Sequence, residues 1–257
     1  MKILISNDDG VYAPGIESLN QFLKKKFDTF VVAPLEERST TGHTLSLDNP
    51  LRVVEVEENV YGCSGYPADC TLMGFGKLMD EKPDLIVSGI NRGANLGQDI
   101  YYSGTAAAAR EGIFHGIPAI AVSLVCDFHR QSSEGMNFDT AAEFLMNFIT
   151  PELKAIIPPL HLININVPDE PLEKIKGIKI CDLGIRRYSE EITQRQDFRG
   201  RDYYWIGGVY QGFEGDENTD CQAVDEGYIS ISILNLLGKK AEKIEEWKKY
   251  CEEFSLS

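Results

Sequence analysis

The 257-residue sequence holds no Cys-x-x-Cys pair, no internal repeat, no low-complexity tract and no long apolar run. The missing run excludes a helical membrane span, which needs about 20 apolar residues. The opening Met1-Lys2-Ile3-Leu4-Ile5 is too short an apolar stretch for a secretory leader, so none is expected. Six scattered cysteines (Cys63, Cys70, Cys126, Cys181, Cys221 and Cys251) read as small buried hydrophobes, reduced in a cytoplasm. Histidine is scarce: His43, His115, His129 and His161 offer no pair at ligand spacing, which speaks against a zinc centre. Positive charge is in deficit, 25 Lys and Arg against 40 Asp and Glu, for a formal net charge of -15. Such a surface repels nucleic acid and anionic lipid. A small anionic substrate fits only if the site brings its own positive charge, from a metal ion or a helix N-terminus.

What the chain does have is a packed interior's worth of apolar residues, 43% of the total. Ile3 to Ser6 reads as a buried strand, followed by Ile16, Leu19, Phe22 and Leu23 at helical spacing after Pro14. Further strands are expected at Thr29–Ala33, Leu85–Ser88, Pro118–Leu124 and Leu162–Val167. Helices are expected at Pro67–Met79, Thr105–Phe114 and Thr140–Phe148. Continuous apolar strands alternating with helices indicate an α/β fold, a mostly parallel sheet covered on both faces. After about Pro168 the pattern changes. Gly177–Leu183, Tyr203–Ile206 and Gly227–Ile233 read as antiparallel or edge strands, and residues 186–202 as an arm or exposed loop. The expected division is a Rossmann-like core over 1–170 and a β-rich extension over 171–257. That extension closes with an amphipathic helix bearing Ala241, Ile244, Trp247, Cys251 and Phe254 on one face. This helix docks on its own core or on a partner subunit; the sequence does not choose.

In open α/β sheets, ligands bind beyond the carboxyl ends of the strands, so the loops after the strands carry the chemistry. The first is Asn7-Asp8-Asp9-Gly10. Adjacent side chains on a strand point to opposite faces, so two carboxylates can share a ligand only if the strand ends there. Crowded together they repel, and a cation removes that penalty. The same tetrapeptide suits an Asx-type turn in solvent. The second loop, Arg38 to His43, offers the Ser39 hydroxyl and a basic side chain. The third runs from Ser88 through Asn91 and Asn95 to Ser103-Gly104-Thr105, where a helix opens. Free backbone N–H groups at that helix N-terminus suit a phosphate, though Ser103 and Thr105 are also ordinary capping residues. Asp8, Asp9, Ser39 and Asn91 are all oxygen donors, the kind that holds Mg²⁺, Mn²⁺ or Ca²⁺.

These motifs together resemble the SurE family of metal-dependent nucleotidases. The similarity lies in Ile3-Leu4-Ile5-Ser6-Asn7-Asp8-Asp9-Gly10-Val11 with Ala13-Pro14-Gly15, and in Val32-Ala33-Pro34 with Arg38-Ser39. It continues in Val87-Ser88-Gly89-Ile90-Asn91-Arg92-Gly93, Tyr102 to Ala106, Asn164 to Pro168 and Ala223 to Ser230. It thus spans residue 1 to about residue 233. The resemblance implies a divalent metal, Mg²⁺ or Mn²⁺, on Asp8, Asp9, Ser39 and Asn91. It implies release of phosphate from nucleoside 5′- and 3′-monophosphates, and in some members from short polyphosphate. It also implies a cytoplasmic homodimer or homotetramer with exchanged C-terminal segments. One departure is Arg38-Ser39-Thr40, where members often carry Arg-Ser-Gly.

The expected mechanism is metal-assisted hydrolysis. Asp8 or Asp9 takes a proton from water, while Ser103, Gly104 and Thr105 grip the phosphate with Asn95 assisting. The alternative is a nucleotide-binding or sensor protein of the same fold without turnover. An aspartyl-phosphate phosphatase would need carboxylates at i and i+2, whereas here they are adjacent. A dinucleotide dehydrogenase would need a Gly-x-Gly-x-x-Gly after the first strand, which is missing.

Overall fold

The structure, a computed structural model, describes residues 1–126 and 133–238. The expected terminal helix and His129 lie outside the described residues. The first half alternates strand and helix: β1 (Lys2–Ser6), α1 (Pro14–Leu23), β2 (Asp28–Pro34), β3 (Val53–Glu57), β4 (Val60–Cys63), α2 (Pro67–Met73), β5 (Leu85–Arg92) and α3 (Gly104–Phe114). It continues with β6 (Ala119–Val125), α4 (Phe138–Phe148), α5 (Pro151–Ile156) and β7 (His161–Pro168). Then come β8 (Ile178–Ile180), β9 (Ile185–Tyr188), β10 (Ile192–Gln196), β11 (Asp202–Ile206), β12 (Tyr210–Glu214), α6 (Asp220–Asp225) and β13 (Ile229–Asn235).

Nine strands form one sheet in the order β3-β4-β2-β1-β5-β6-β7-β13-β8. The six from β4 to β7 in that order are mutually parallel. Taken in chain order these six run 3-2-1-4-5-6, the arrangement of a dinucleotide-binding Rossmann sheet. Strand alternation assigns the two faces. Ile3 and Ile5 point to one, packed with Ile16 and Leu19 of α1 and with Ala141 and Leu145 of α4. Leu4 points to the other, packed with Cys70 of α2 and with Ala106 and Ile113 of α3. All three strand residues are fully buried, each contributing about 1.5–3 kcal/mol of apolar burial. The small residues Ala106 to Ala109 bring α3 against the sheet with no exposed surface.

The expected fold class is the observed one. One detail escaped the periodicity. Strands β3 and β4 at one edge were not anticipated, because an edge strand such as Val53–Glu57 keeps acidic, partly exposed residues. The antiparallel strand expected at Gly227–Ile233 is β13. It lies inside the sheet, antiparallel to β7 and parallel to the short edge strand β8. The stretch around residues 186–202 carries β9 and β10, which pair in two small antiparallel sheets with β12 and β11. No helix among the described residues is long and apolar enough to cross a membrane.

Candidate active site

The strand order reverses between β1 and β5, with β2 and β4 to one side and β6 and β7 to the other. A crevice opens at such a switch point, beyond the carboxyl ends of the strands. Strand β1 stops at Ser6 and feeds the Asn7–Gly10 turn into this crevice. Asn7 closes the turn on itself. Its Nδ2 donates to the Gly10 carbonyl at 2.9 Å, and the Gly10 N–H donates to Asn7 Oδ1 at 3.1 Å. Gly10 takes φ +106°, open to glycine and costly for other residues. The Asx-type turn is therefore present, but it is not in solvent: Asn7 is 0% and Asp8 4% exposed. By ending the strand it frees consecutive carboxylates from opposite faces.

Each carboxylate is held by a neutral donor. The Thr105 hydroxyl donates to Asp8 Oδ1 at 2.5 Å, and the Arg92 backbone N–H donates to Asp9 Oδ2 at 3.0 Å. Among the described residues, neither acid forms an ion pair with a Lys or Arg side chain. Burial therefore drives both pKa values upward, and for Asp9 the negative charge of Asp8 adds to it. The Thr105 bond to Asp8 and the Arg92 bond to Asp9 pull only partly back. Adjacent acids, one buried and one half-buried, with no ion-pair partner among the described residues suit a place for a cation.

The remaining predicted ligands come to the same end of the sheet. The Arg38 N–H donates to the Asp8 carbonyl at 2.7 Å, tying the loop after β2 to the acidic turn. Ser39 is exposed, and its hydroxyl donates to Glu37 Oε1 at 2.7 Å. Asn91, at the end of β5 beside Arg92, donates from Nδ2 to the Gly93 carbonyl at 2.8 Å, which leaves its Oδ1 as the available donor atom. Among the described residues no three His, Cys, Asp or Glu side chains gather into a metal-holding group. An ion held by Asp8 and Asp9 would be completed by neutral oxygens such as those of Ser39 and Asn91, hard donors of the kind that suits Mg²⁺ or Mn²⁺. A cleft of about 370 Å³ touches Asp9, Ser39 and Arg92.

Helix α3 enters on the opposite flank. Ser103 caps it, its hydroxyl accepting the Ala106 N–H at 3.0 Å. Gly104 lies so close to the acidic turn that a Cβ there would stand 2.7 Å from Asp8 Cβ and 2.9 Å from its Oδ2. Ser103, Gly104 and Thr105 thus present the positive end of the helix macrodipole beside Asp8. Asn95 is 6% exposed and sits in a polar knot. Its Nδ2 donates to Ser123 Oγ at 2.9 Å, and its carbonyl accepts from Asn164 and Asn166. The structure shows no bond from Asn95 to Asp8, Asp9 or Thr105.

A family model described as survival protein SurE matches residues 3–190. A protein of Geotalea daltonii named 5′-nucleotidase SurE is 44% identical over 92% of this chain and 93% of its own length. Proteins bearing the same name from Geobacter sulfurreducens and Vibrio cholerae are 46% and 43% identical, each over 92% of this chain and over 88% and 92% of their own lengths. The chain belongs to the SurE family. The crystal structure of the SurE protein from Aquifex aeolicus superposes with a TM-score of 0.84 at 36% identity, covering 98% of this chain and all of that one.

Within the SurE fold, the departure at residue 40 has a structural consequence. Thr40 adopts φ +56°, a left-handed conformation that glycine takes freely and that a β-branched residue adopts only under constraint. The Thr41 hydroxyl supplies part of that constraint by donating to the Arg38 carbonyl at 2.9 Å. Sequence reasoning did not find the Thr105 bond to Asp8, the Arg92 N–H beside Asp9, or Tyr12, Leu35 and Phe138 along the cleft. Thr105 and Arg92 stood inside recognised motifs. What was missing was the pairing between loops about 80 to 100 residues apart, as the separations of 97 and 83 show.

Proposed function

We propose that this SurE-family chain is a metal-dependent nucleotidase that hydrolyses nucleoside 5′- and 3′-monophosphates to nucleoside and phosphate, and also short polyphosphate. The observation that carries the reading is the pair of adjacent carboxylates, buried Asp8 and half-buried Asp9, in an ion pair with no Lys or Arg among the described residues, with Asp8 against a helix N-terminus at the switch point of the sheet. Four oxygen donors, Asp8, Asp9, Ser39 and Asn91, would hold one Mg²⁺ or Mn²⁺ per subunit. When bound, such an ion supplies Lewis-acid neutralisation of the phosphoryl oxygens. The chain's own residues do the rest. The α3 N-terminus, through Ser103, Gly104 and Thr105, binds and orients the phosphate, with Asn95 supporting that wall from its polar knot. Asp8 or Asp9 takes the proton of the attacking water. Water adds to phosphorus, the ester P–O bond breaks, and the nucleoside leaves as its alcohol. Positioning and charge carry most of phosphoryl transfer, so so short a set of residues suffices.

The test is phosphate release from AMP and other nucleoside monophosphates with added Mg²⁺ or Mn²⁺, against the same assay in excess chelator. Turnover that stops in chelator and returns with metal is expected. Tight nucleotide binding without turnover would establish the sensor reading instead. Thr105 gives a finer check. Thr105→Val removes the hydroxyl that fixes Asp8 and is expected to weaken Mn²⁺ affinity about 10- to 100-fold, with Thr105→Ser retaining most of it.

For assembly and location we propose a cytoplasmic homodimer or homotetramer. The division into a catalytic core over 1–170 and an oligomerising extension over 171–257 belongs to the same proposal. The hairpin of β10 and β11 supports it by leaving Trp205 62% and Ile206 88% exposed, an apolar face suited to a second subunit. The five described cysteines are all free, in keeping with a reducing compartment.

A further inference from the structure

The cleft beside Asp9 continues away from the acidic turn along an apolar wall. Its floor is Phe138, which is 5% exposed and belongs to the core, and its side is formed by Pro14 and half-buried Leu35. At the lip stands Tyr12, 70% exposed. Among the described residues, its ring stacks on no other ring and its hydroxyl makes no hydrogen bond. A large aromatic side chain set in this way contributes nothing visible to the fold. Its place at the mouth of a cleft of about 370 Å³ is that of a ligand contact, since that volume falls in the range of sites for small organic molecules, about 300–1,000 Å³.

Polar groups line the cleft too, among them Asp9, Glu37, Ser39, Arg92 and Ser133, and Asp9 lies beside the proposed phosphate position. A phosphomonoester anchored there sends its leaving group outward along the apolar wall. For a nucleotide that group is a sugar carrying a flat base one ring further on. Aromatic side chains take bases face-on irrespective of base identity.

We propose that Tyr12 is a specificity residue that stacks on the base of a nucleoside monophosphate, with Pro14, Leu35 and Phe138 forming the wall behind it. The proposal rests on the nucleotidase reading above and adds to it the reason nucleotides outrank simpler esters. It also predicts tolerance among the bases, because stacking reads a π-face and not a hydrogen-bond pattern.

The experiment compares kcat/KM for AMP with kcat/KM for glycerol 3-phosphate, whose three-carbon leaving group has no ring to stack. The ratio is measured in the unaltered enzyme, Tyr12→Ala and Tyr12→Phe, each loaded with Mn²⁺. In Tyr12→Ala the ratio is expected to fall about tenfold or more, the range that loss of one base–aromatic stack produces. Tyr12→Phe keeps the ring and is expected to keep the ratio within about threefold. A ratio unchanged in Tyr12→Ala, with AMP still hydrolysed, overturns the stacking role and leaves the nucleotidase reading standing. Failure of the unaltered enzyme to release phosphate from AMP overturns that reading and the stacking role with it.

Discussion

Asp9→Asn is expected to lower kcat/KM for AMP about 1,000-fold, and in chelator at pH 8 to raise the melting temperature. Both effects come from one charge. Loss of a metal-holding carboxylate removes several kcal/mol of charge stabilisation from the phosphoryl transition state. In the absence of metal, however, the same carboxylate is a burden. Burial and the neighbouring Asp8 raise its pKa in the folded state above the unfolded value of about 3.9. A group with a raised carboxyl pKa binds its proton more tightly when folded, so stability falls as pH climbs from the unfolded pKa to the folded one. Above the folded pKa the penalty is complete, and Asn removes it. Each kcal/mol relieved raises the melting temperature by about 2–4 °C in a chain of this size. At pH 4 the two proteins should melt closer together. Thermal denaturation in chelator across pH 4–8, paired with kinetics in Mn²⁺, checks both halves. An Asp9→Asn protein less stable than its parent at every pH would deny that the acids repel.

Gly104→Ala should cost about 100-fold in kcat/KM while leaving the fold intact. A methyl group at residue 104 would stand 2.7 Å from Asp8 Cβ and 2.9 Å from its Oδ2, so the helix or the acidic turn must retreat. A shift approaching an ångström between a catalytic group and its substrate is enough to lose about two orders of magnitude. The helix itself would gain slightly from alanine. The circular dichroism spectrum should therefore match that of the parent while turnover of AMP collapses. Equal activity in the variant would mean that the helix N-terminus and Asp8 do not act on one phosphate.

The sheet was readable because its strands are buried on both faces and so appear as apolar runs, as in Ile3–Ile5 and Leu85–Val87. The same logic hid β3, whose Glu55 and Glu57 face outward at an edge. Strand β13, expected as antiparallel or edge, does pair antiparallel to β7, and it buries Ser230 and Ser232 despite their polarity. At the site, Asp8 and Asp9 were legible from a local rule: adjacent carboxylates before a glycine need an end to the strand. Their neutral holders were not. That Thr105 serves Asp8 and the Arg92 backbone serves Asp9 follows from how loops after β1, β5 and the start of α3 converge, a consequence of strand order. Tyr12 carried no signal at all, because an exposed tyrosine in a loop matches no periodicity.

Calorimetric titration of Mn²⁺ into the metal-stripped protein and into Asp8→Asn and Asp9→Asn interrogates the acidic pair itself. One saturable site per subunit in the parent, absent from both variants, is the expected result. Binding of equal strength and stoichiometry in all three proteins would contradict the account.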